Sequence, residues 1–267
     1  GSHIVTKRLY EHDKCYFFQG EDGRIIFSIP YEDDFTLVGT TDVDHDDPNT
    51  KPVCTPEESR YLIDFANKYF KKVLTDDDIV WTYSGVRPLY NDGASSATAA
   101  TRDYVLKVNR SAGGPVLNVF GGKITTYRCL AESALEIIDE EFQRKTKKWT
   151  AAAAMPGGDF PLDGVNDLRI ALAKALPFLP TKTIIRLIRQ YGTDAMIIFR
   201  GCDTVDALGK DFGHGVFQHE LDWAIAHEWV MQSDDFLWRR SKLGLRFNAT
   251  ETKEIGDYIR HQHVHDD

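Results

Sequence analysis

Apolar and polar positions alternate through the first part of the chain in a pattern typical of β-strands. Short runs rich in aromatic and β-branched residues are separated by acidic or glycine-containing turns. This pattern predicts three early strands, at residues 15–18, 24–29 and 35–38. Later runs of the same kind predict strands at residues 79–83, 104–108 and 115–120, with a hairpin turn joining the last two.

A helix signal stands between these two groups of strands. Thr55 can cap the helix, Pro56 occupies its first position, and Glu58 completes a capping box. Aromatic residues then recur at every fourth position, which predicts one face packed in the core: Tyr61, Phe65 and Tyr69. A second helix is predicted from about residue 124 to residue 142, directly after a strand and a glycine pair.

The pattern changes after about residue 145. Residues 150–159 have the composition of a linker, and helical periodicity dominates beyond them. Helices are predicted at residues 167–176, 181–191, 217–231, 234–243 and 250–262. The fold class is therefore α+β, mainly an antiparallel sheet with helices over residues 1–148, followed by an all-helical domain over residues 149–267.

Composition narrows the class of protein. The 267 residues are 42% hydrophobic and 27% charged, as in an ordinary globular protein, and the net charge is −9. An acidic chain is a poor candidate for nucleic-acid binding, which needs a basic face. The four cysteines are too scattered for a zinc knuckle or a redox pair, and no apolar stretch is long enough to span a membrane.

Three cations occupy turns in the first part of the chain: Arg87, Arg102 and Lys123. Arginine binds phosphate as a fork and lysine as a point charge, so the three could converge on one anion. Pairing of each cation with a neighbouring carboxylate is the alternative. Lys123 also follows a glycine pair at the start of a helix, where backbone amides favour anions.

The histidines carry less information. His261, His263 and His265 alternate near the C-terminus, where we expect a solvated tail rather than a metal site. Neither of the glycine-rich phosphate-binding patterns, G-x-G-x-x-G or G-x-x-x-x-G-K-[ST], occurs in the chain.

Four segments of the first part carry a resemblance to a known family. They read IPYEDDFTLVGTTD at residues 29–42, YSGVRPL at 83–89, TRDY at 101–104 and FGGKITTYR at 120–128. Residues 211–213, 227–229 and 234–245 of the second part agree with it. The chain resembles the C-terminal portion of the FAD-dependent, quinone-linked glycerol-3-phosphate dehydrogenases, without the nucleotide-binding half. The Gly-Ser-His start is either the family's own sequence or the remainder of a cleaved tag.

The resemblance implies a reaction and a set of residues. In this family sn-glycerol 3-phosphate is oxidised to dihydroxyacetone phosphate by hydride transfer to the flavin, and electrons pass to quinone. His3, Arg87 and Lys123 match catalytic residues, with His3 as the base. Arg87, Arg102 and Lys123 match substrate-binding residues. The flavin contacts correspond to a single short stretch: Gly122, Lys123, Ile124 and Thr125.

The resemblance also implies partners and a location. FAD is expected in the parent protein and not in the isolated chain, which we expect to be inactive. The parent is expected to be a homodimer in the cytoplasm, peripheral to the inner face of the cytoplasmic membrane. A glycerol-3-phosphate oxidase, which passes electrons to oxygen, is the alternative within the same class. A non-catalytic module for dimer or membrane contact is the alternative outside it, suggested by the aromatic residues between positions 217 and 247.

Overall fold

The computed structural model describes residues 1–45, 47–90, 101–111 and 113–264. It divides into two compact units, Gly1–Ala153 and Ala154–Asp267. The boundary predicted between residues 148 and 149 lies within the first of these units. None of the described helices is both long enough and apolar enough to cross a membrane.

A five-stranded antiparallel sheet forms the centre of the first unit. Its strands, in chain order, are β1 (Ser2–Lys7), β2 (Tyr16–Gln19), β3 (Ile25–Tyr31), β4 (Phe35–Gly39) and β5 (Ile79–Ser84). They are arranged in the order β2-β3-β4-β1-β5, so that β1 lies between β4 and β5. The sequence pattern did not predict β1, although this strand pairs with a neighbour on both sides.

Helix α1 (Pro56–Asn67) covers this sheet. The predicted capping box is present, because the Thr55 side chain accepts from the Glu58 amide while the Glu58 carboxylate accepts from the Thr55 amide. The helix buries Leu62, Ile63, Phe65 and Ala66 in a core shared with β1, β3 and β4. Tyr69 lies beyond the end of the helix and is half exposed, so the predicted aromatic face is only partly a core face.

The remaining elements of the first unit are β6 (Tyr104–Asn109), β7 (Val116–Gly121) and α2 (Tyr127–Glu141). The two strands form a separate antiparallel hairpin, as predicted. A 3₁₀ turn at Ile124–Thr126 precedes α2, so the predicted helix at residue 124 begins as a tighter turn and continues as an α-helix.

The second unit is mainly helical. Its α-helices are α3 (Val165–Ala175), α4 (Thr181–Tyr191), α5 (Ala195–Ile198), α6 (Gln218–His227) and α7 (Ala249–Val264). Residues Asp235–Arg240, where an α-helix was predicted, form a π-helix. A short hairpin of β8 (Asp211–Gly213) and β9 (Val216–Phe217) adds the only strands among its described residues. Two apolar clusters form its core.

Aromatic side chains supply much of that core. Of the six rings noted between positions 217 and 247, five are buried in or packed against the two clusters: Phe217, Trp223, Phe236, Trp238 and Phe247. Trp229 is the exception, with 83% of its surface exposed. Core packing therefore accounts for most of the aromatic content that suggested a contact module.

The predicted linker at residues 150–159 contains the boundary between the two units, and near its second end the Thr193 amide donates to the Gly157 carbonyl at 2.9 Å. The prediction of a solvated tail was wrong for the described residues, because the chain is helical through Val264 and the His263 ring hydrogen-bonds the Val230 carbonyl at 3.0 Å. His265 lies outside the described residues.

Candidate active site

His3 lies near the start of β1, an inner strand of the five-stranded sheet. It is paired with Gly39 of β4 on one side and with Tyr83 of β5 on the other. Its imidazole stacks on the Tyr83 ring, with 4.8 Å between ring centroids and 4° between the planes. Its Nδ1 atom is buried and has no hydrogen-bond partner among the described residues. The cross-strand pairing therefore fixes the position of a histidine with a free nitrogen.

The surroundings of His3 favour the neutral imidazole. Burial lowers its pKa from 6.5, and the positive charges of the Gly1 amino group and of Arg87 lower it further. Each of these effects penalises the imidazolium form. At neutral pH the ring therefore carries a lone pair that can accept a proton.

A cavity of about 750 Å³ opens beside His3. Arg87 and Arg102 line it together with His3, so three of the predicted site residues meet in one space. Lys123 is not among the residues that line the cavity. The volume is within the range of pockets that take small metabolites or part of a cofactor.

The segments that carry the three cations nevertheless pack together. A Cβ atom added to Gly121 would lie 3.2 Å from the Pro88 carbonyl oxygen and 3.5 Å from the Asp103 carbonyl oxygen. Pro88 follows Arg87, Asp103 follows Arg102, and Gly121 precedes Lys123 by two positions. The turn after β7 thus lies against the backbones that hold both arginines.

The cations themselves are unpaired within the described part of the chain. Arg87, Arg102 and Lys123 form no salt bridge with any described carboxylate, and all three are exposed. Among the described residues, therefore, none of the three cations has a neighbouring acid as its partner. Unpaired arginines beside a cavity retain their forked donors for an anionic ligand.

Carboxylates line the same cavity. Asp42, Asp44 and Glu58 are part of its wall. Although burial opposes ionisation, hydrogen bonds from the Thr41 hydroxyl and the Thr55 amide lower the pKa of Glu58. Sequence reasoning missed these acids as cavity residues, and also missed the contacts of Gly39 and Tyr83 with His3. The only signal was that residues 29–42 and 83–89 fall in the segments that carry the family resemblance.

Comparisons with known proteins identify the two domains of the chain and its relatives. Residues 1–128 match the FAD dependent oxidoreductase family, and residues 148–259 match the C-terminal domain of alpha-glycerophosphate oxidase. The aerobic glycerol-3-phosphate dehydrogenase of Escherichia coli is 42% identical over 97% of this chain and 52% of its own length. The D-erythritol 1-phosphate dehydrogenase of Brucella abortus is 35% identical over 94% of this chain and 50% of its own length.

The fold has a counterpart among solved structures. The glycerol-3-phosphate dehydrogenase of Bacillus halodurans, solved in complex with FAD, superimposes with a TM-score of 0.72 at 21% identity. The superposition covers 97% of this chain and 55% of that one. At this level of identity the likeness concerns the fold alone.

The two family matches together account for most of the chain and define its class: a domain of the FAD dependent oxidoreductase family is followed by a C-terminal domain of the alpha-glycerophosphate oxidase type. The relatives that share 40–42% identity with the chain over nearly its whole length are glycerol-3-phosphate dehydrogenases. The chain spans about half the length of the curated relatives that it matches.

The turn after β7 fits the edge of a flavin ring. Gly122 packs closely against β6, because a Cβ atom added to it would lie 2.9 Å from the Tyr104 Cβ. A side chain does not fit there, so the surface of the turn at this position is backbone. Lys123, Ile124 and Thr125 follow with exposed side chains at the start of a helical segment, where backbone amides lack intrahelical acceptors. Such amides could donate hydrogen bonds to the carbonyl oxygens at the pyrimidine edge of a flavin, where negative charge develops on reduction.

Proposed function

We propose that the chain is the C-terminal portion of an FAD-dependent dehydrogenase that oxidises sn-glycerol 3-phosphate to dihydroxyacetone phosphate. The observation that carries the proposal is the cavity shared by His3, Arg87 and Arg102. Oxidation of a secondary alcohol needs a base at the hydroxyl group, and a phosphate ester needs cations nearby. This cavity holds a neutral histidine next to two arginines that have no described acid partner.

The residues divide the work of the reaction. His3 accepts the proton of the C2 hydroxyl group, because its lowered pKa leaves the ring unprotonated at neutral pH. Arg87 and Arg102 bind the phosphate through forked hydrogen bonds. Arg87, whose positive charge contributes to lowering the pKa of His3, also polarises the reacting oxygen. FAD, when bound, supplies the acceptor for the hydride that leaves C2.

Lys123 and the amides beside it act on the cofactor side. In the proposed arrangement the amides of Lys123, Ile124 and Thr125, with the bare backbone of Gly122, face the pyrimidine edge of the flavin. The positive end of the helical segment and the Lys123 ammonium group both favour negative charge there. Lys123, which is not part of the wall of the cavity, is proposed to lie between substrate and flavin.

The electron acceptor and the cellular setting are also proposals. We propose quinone as the acceptor, with the parent protein a homodimer held peripherally at the inner face of the cytoplasmic membrane. The match of residues 148–259 to an oxidase domain supports oxygen as the alternative acceptor. Peroxide formation measured against quinone reduction, with the same substrate and protein, distinguishes the two.

The substrate class is tested in the flavoprotein that contains this chain. Glycerol 3-phosphate is expected to reduce the bound flavin, as measured by loss of absorbance, faster than erythritol phosphate or unphosphorylated glycerol does. Arg102→Ala is expected to raise KM about 10- to 100-fold, the value of a lost charged hydrogen bond. Arg110→Ala is the matched control, because Arg110 pairs with Glu141 and does not line the cavity. Unchanged KM in Arg102→Ala would remove Arg102 from the phosphate site.

The isolated chain provides a second test. We expect it to bind FAD weakly or not at all, because it contains no glycine-rich sequence for the pyrophosphate. Fluorescence titration with FAD measures this directly. Tight, stoichiometric binding with turnover of glycerol 3-phosphate would contradict the assignment of the chain as a portion of the enzyme.

A further inference from the structure

We propose that Gly39 and Tyr83 are positioning residues that hold the imidazole of His3 in one plane. This inference rests on the proposed function, in which His3 is the base. It adds two residues that contact the base rather than the reacting atoms. Both are direct cross-strand neighbours of His3, one on each side of β1.

Gly39 provides the space into which the imidazole leans. A Cβ atom built on Gly39 would lie 2.2 Å from Cδ2, 2.7 Å from Cγ and 2.9 Å from Nε2 of His3. Carbon atoms in contact stay about 3.5–4.0 Å apart, so any side chain at this position displaces the ring. Gly39 does not have a positive φ, so its backbone conformation is open to alanine. The requirement for glycine is therefore steric and comes from His3.

Tyr83 provides the opposing surface. Its ring is nearly parallel to the imidazole, 4.8 Å away, and is itself supported by the Trp81 ring at 5.2 Å. Tyr83 is half-buried, and burial raises the pKa of its phenol, so the side chain stays neutral. The imidazole thus lies between a surface without a side chain and a supported aromatic face.

This placement sets the surroundings of both ring nitrogens of His3. Nδ1 is buried without a described partner, and the Cδ2–Nε2 edge lies over Gly39. A base must be held within about 0.5 Å and 10–20° of its productive position. Rotation of the ring by a side chain at position 39, or by loss of the stack, would misdirect the lone pair.

The first experiment uses the 267-residue chain and reads the ring itself. In ¹⁵N-labelled protein, the His3 signals are assigned by their loss in His3→Ala. Tyr83→Leu is expected to remove the ring-current shift of the His3 ring protons, and Tyr83→Phe to keep it. Gly39→Ala is expected to move the same signals.

A double-mutant cycle separates positioning from general damage to the sheet. Gly39→Ala is expected to lower the urea midpoint of the first unit, followed by tryptophan fluorescence, to which Trp81 and Trp149 of that unit contribute. The same substitution made in His3→Ala is expected to have no such effect, because the clashing ring is gone. Equal losses in both backgrounds would overturn the inference. If Gly39→Ala does not fold, Tyr83→Leu with Tyr83→Phe as its rescue decides the question.

The catalytic readout uses the flavoprotein that contains the chain. Gly39→Ala is expected to lower kcat by about 100-fold, the cost of misplacing a reacting group, with a smaller change in KM. Tyr83→Leu is expected to lower kcat as well, and Tyr83→Phe to restore most of the loss. Full activity in His3→Ala would refute the proposed function. The NMR signals of the His3 ring and the double-mutant cycle would then decide whether Gly39 and Tyr83 position that ring. If His3→Ala is inactive while Gly39→Ala and Tyr83→Leu keep the wild-type kcat, the inference is refuted.

Discussion

Glu220 carries a buried carboxylate in the helical unit, and its partners define the clearest stability test of this fold. Its side chain is fully buried in α6. Arg186 of α4 holds it with two hydrogen bonds, Nη1 to Oε1 at 2.5 Å and Nη2 to Oε2 at 2.7 Å. The Tyr191 hydroxyl donates to the same carboxylate at 3.1 Å, and Arg186 also donates to the Gly215 carbonyl. The Glu220 carboxylate thus joins α6 to α4, and Arg186 joins α4 to the β8–β9 hairpin.

The perturbation is Glu220→Gln, which keeps the volume and removes the charge. The new amide group would direct its own N–H donors at the guanidinium group. Arg186, whose side chain is only 19% exposed, would retain its charge without a compensating anion. Removing one member of a buried ion pair costs about 3–5 kcal/mol of unfolding free energy. We expect a loss in this range, because the geometry is bidentate and a third donor also loses its anionic acceptor.

The assay is urea denaturation followed by tryptophan fluorescence, to which Trp223, Trp229 and Trp238 of the helical unit contribute together with Trp81 and Trp149 of the first unit. Glu254→Gln is the matched control, since Glu254 pairs with Lys210 through side chains that are nearly half exposed. An exposed pair contributes at most about 1 kcal/mol. The contrast between the two Glu→Gln changes isolates burial as the cause.

Two outcomes test the reasoning. The combination of Arg186→Met with Glu220→Leu is expected to recover part of the stability lost in Glu220→Gln, because it leaves no charge uncompensated. If Glu220→Gln lowers the free energy of unfolding by no more than Glu254→Gln does, the buried Glu220 carboxylate does not stabilise the helical unit more than an exposed carboxylate does.

Two further predictions concern the first unit. Thr55→Ala removes the cap of α1 and is expected to cost about 1 kcal/mol in urea denaturation followed by Trp81 fluorescence, and an unchanged midpoint would contradict the cap's role. Burial and the charges of the Gly1 amino group and Arg87 lower the pKa of folded His3 below 6.5, so the unfolded chain binds its proton more readily. Stability should therefore fall as the pH drops through 6.5, and His3→Gln should flatten this dependence in urea midpoints measured on both sides of that value. An equal slope in both proteins would disprove it.

Local chemistry accounts for the elements that the sequence predicted well. The capping box and proline at positions 55–58 fixed the start of α1, and the helix predicted at residues 181–191 is α4 with the same bounds. The hairpin of β6 and β7 followed from two alternating runs around a turn. In each case the determining residues lie within a few positions of one another.

The missed features depend on residues far apart in the chain. β1 is a strand because β4 and β5 pair with it from both sides, and its own few residues carry no turn signal that would frame it. Glu220 was one polar residue in a predicted helix, and its burial depends on an arginine 34 positions earlier. No local pattern encodes either relation.

The cavity illustrates the same limit for function. Spacing offered two interpretations of Arg87, Arg102 and Lys123, and only the fold separates them, because no described carboxylate comes within pairing distance. The chain has a net charge of −9, and three carboxylates share the cavity wall, so the general field does not favour a phosphate. Screening limits such a field to about 8 Å at physiological salt. The proposed affinity for an anion would therefore come from direct forked contacts with Arg87 and Arg102, whose neighbouring backbone lies against the turn after β7.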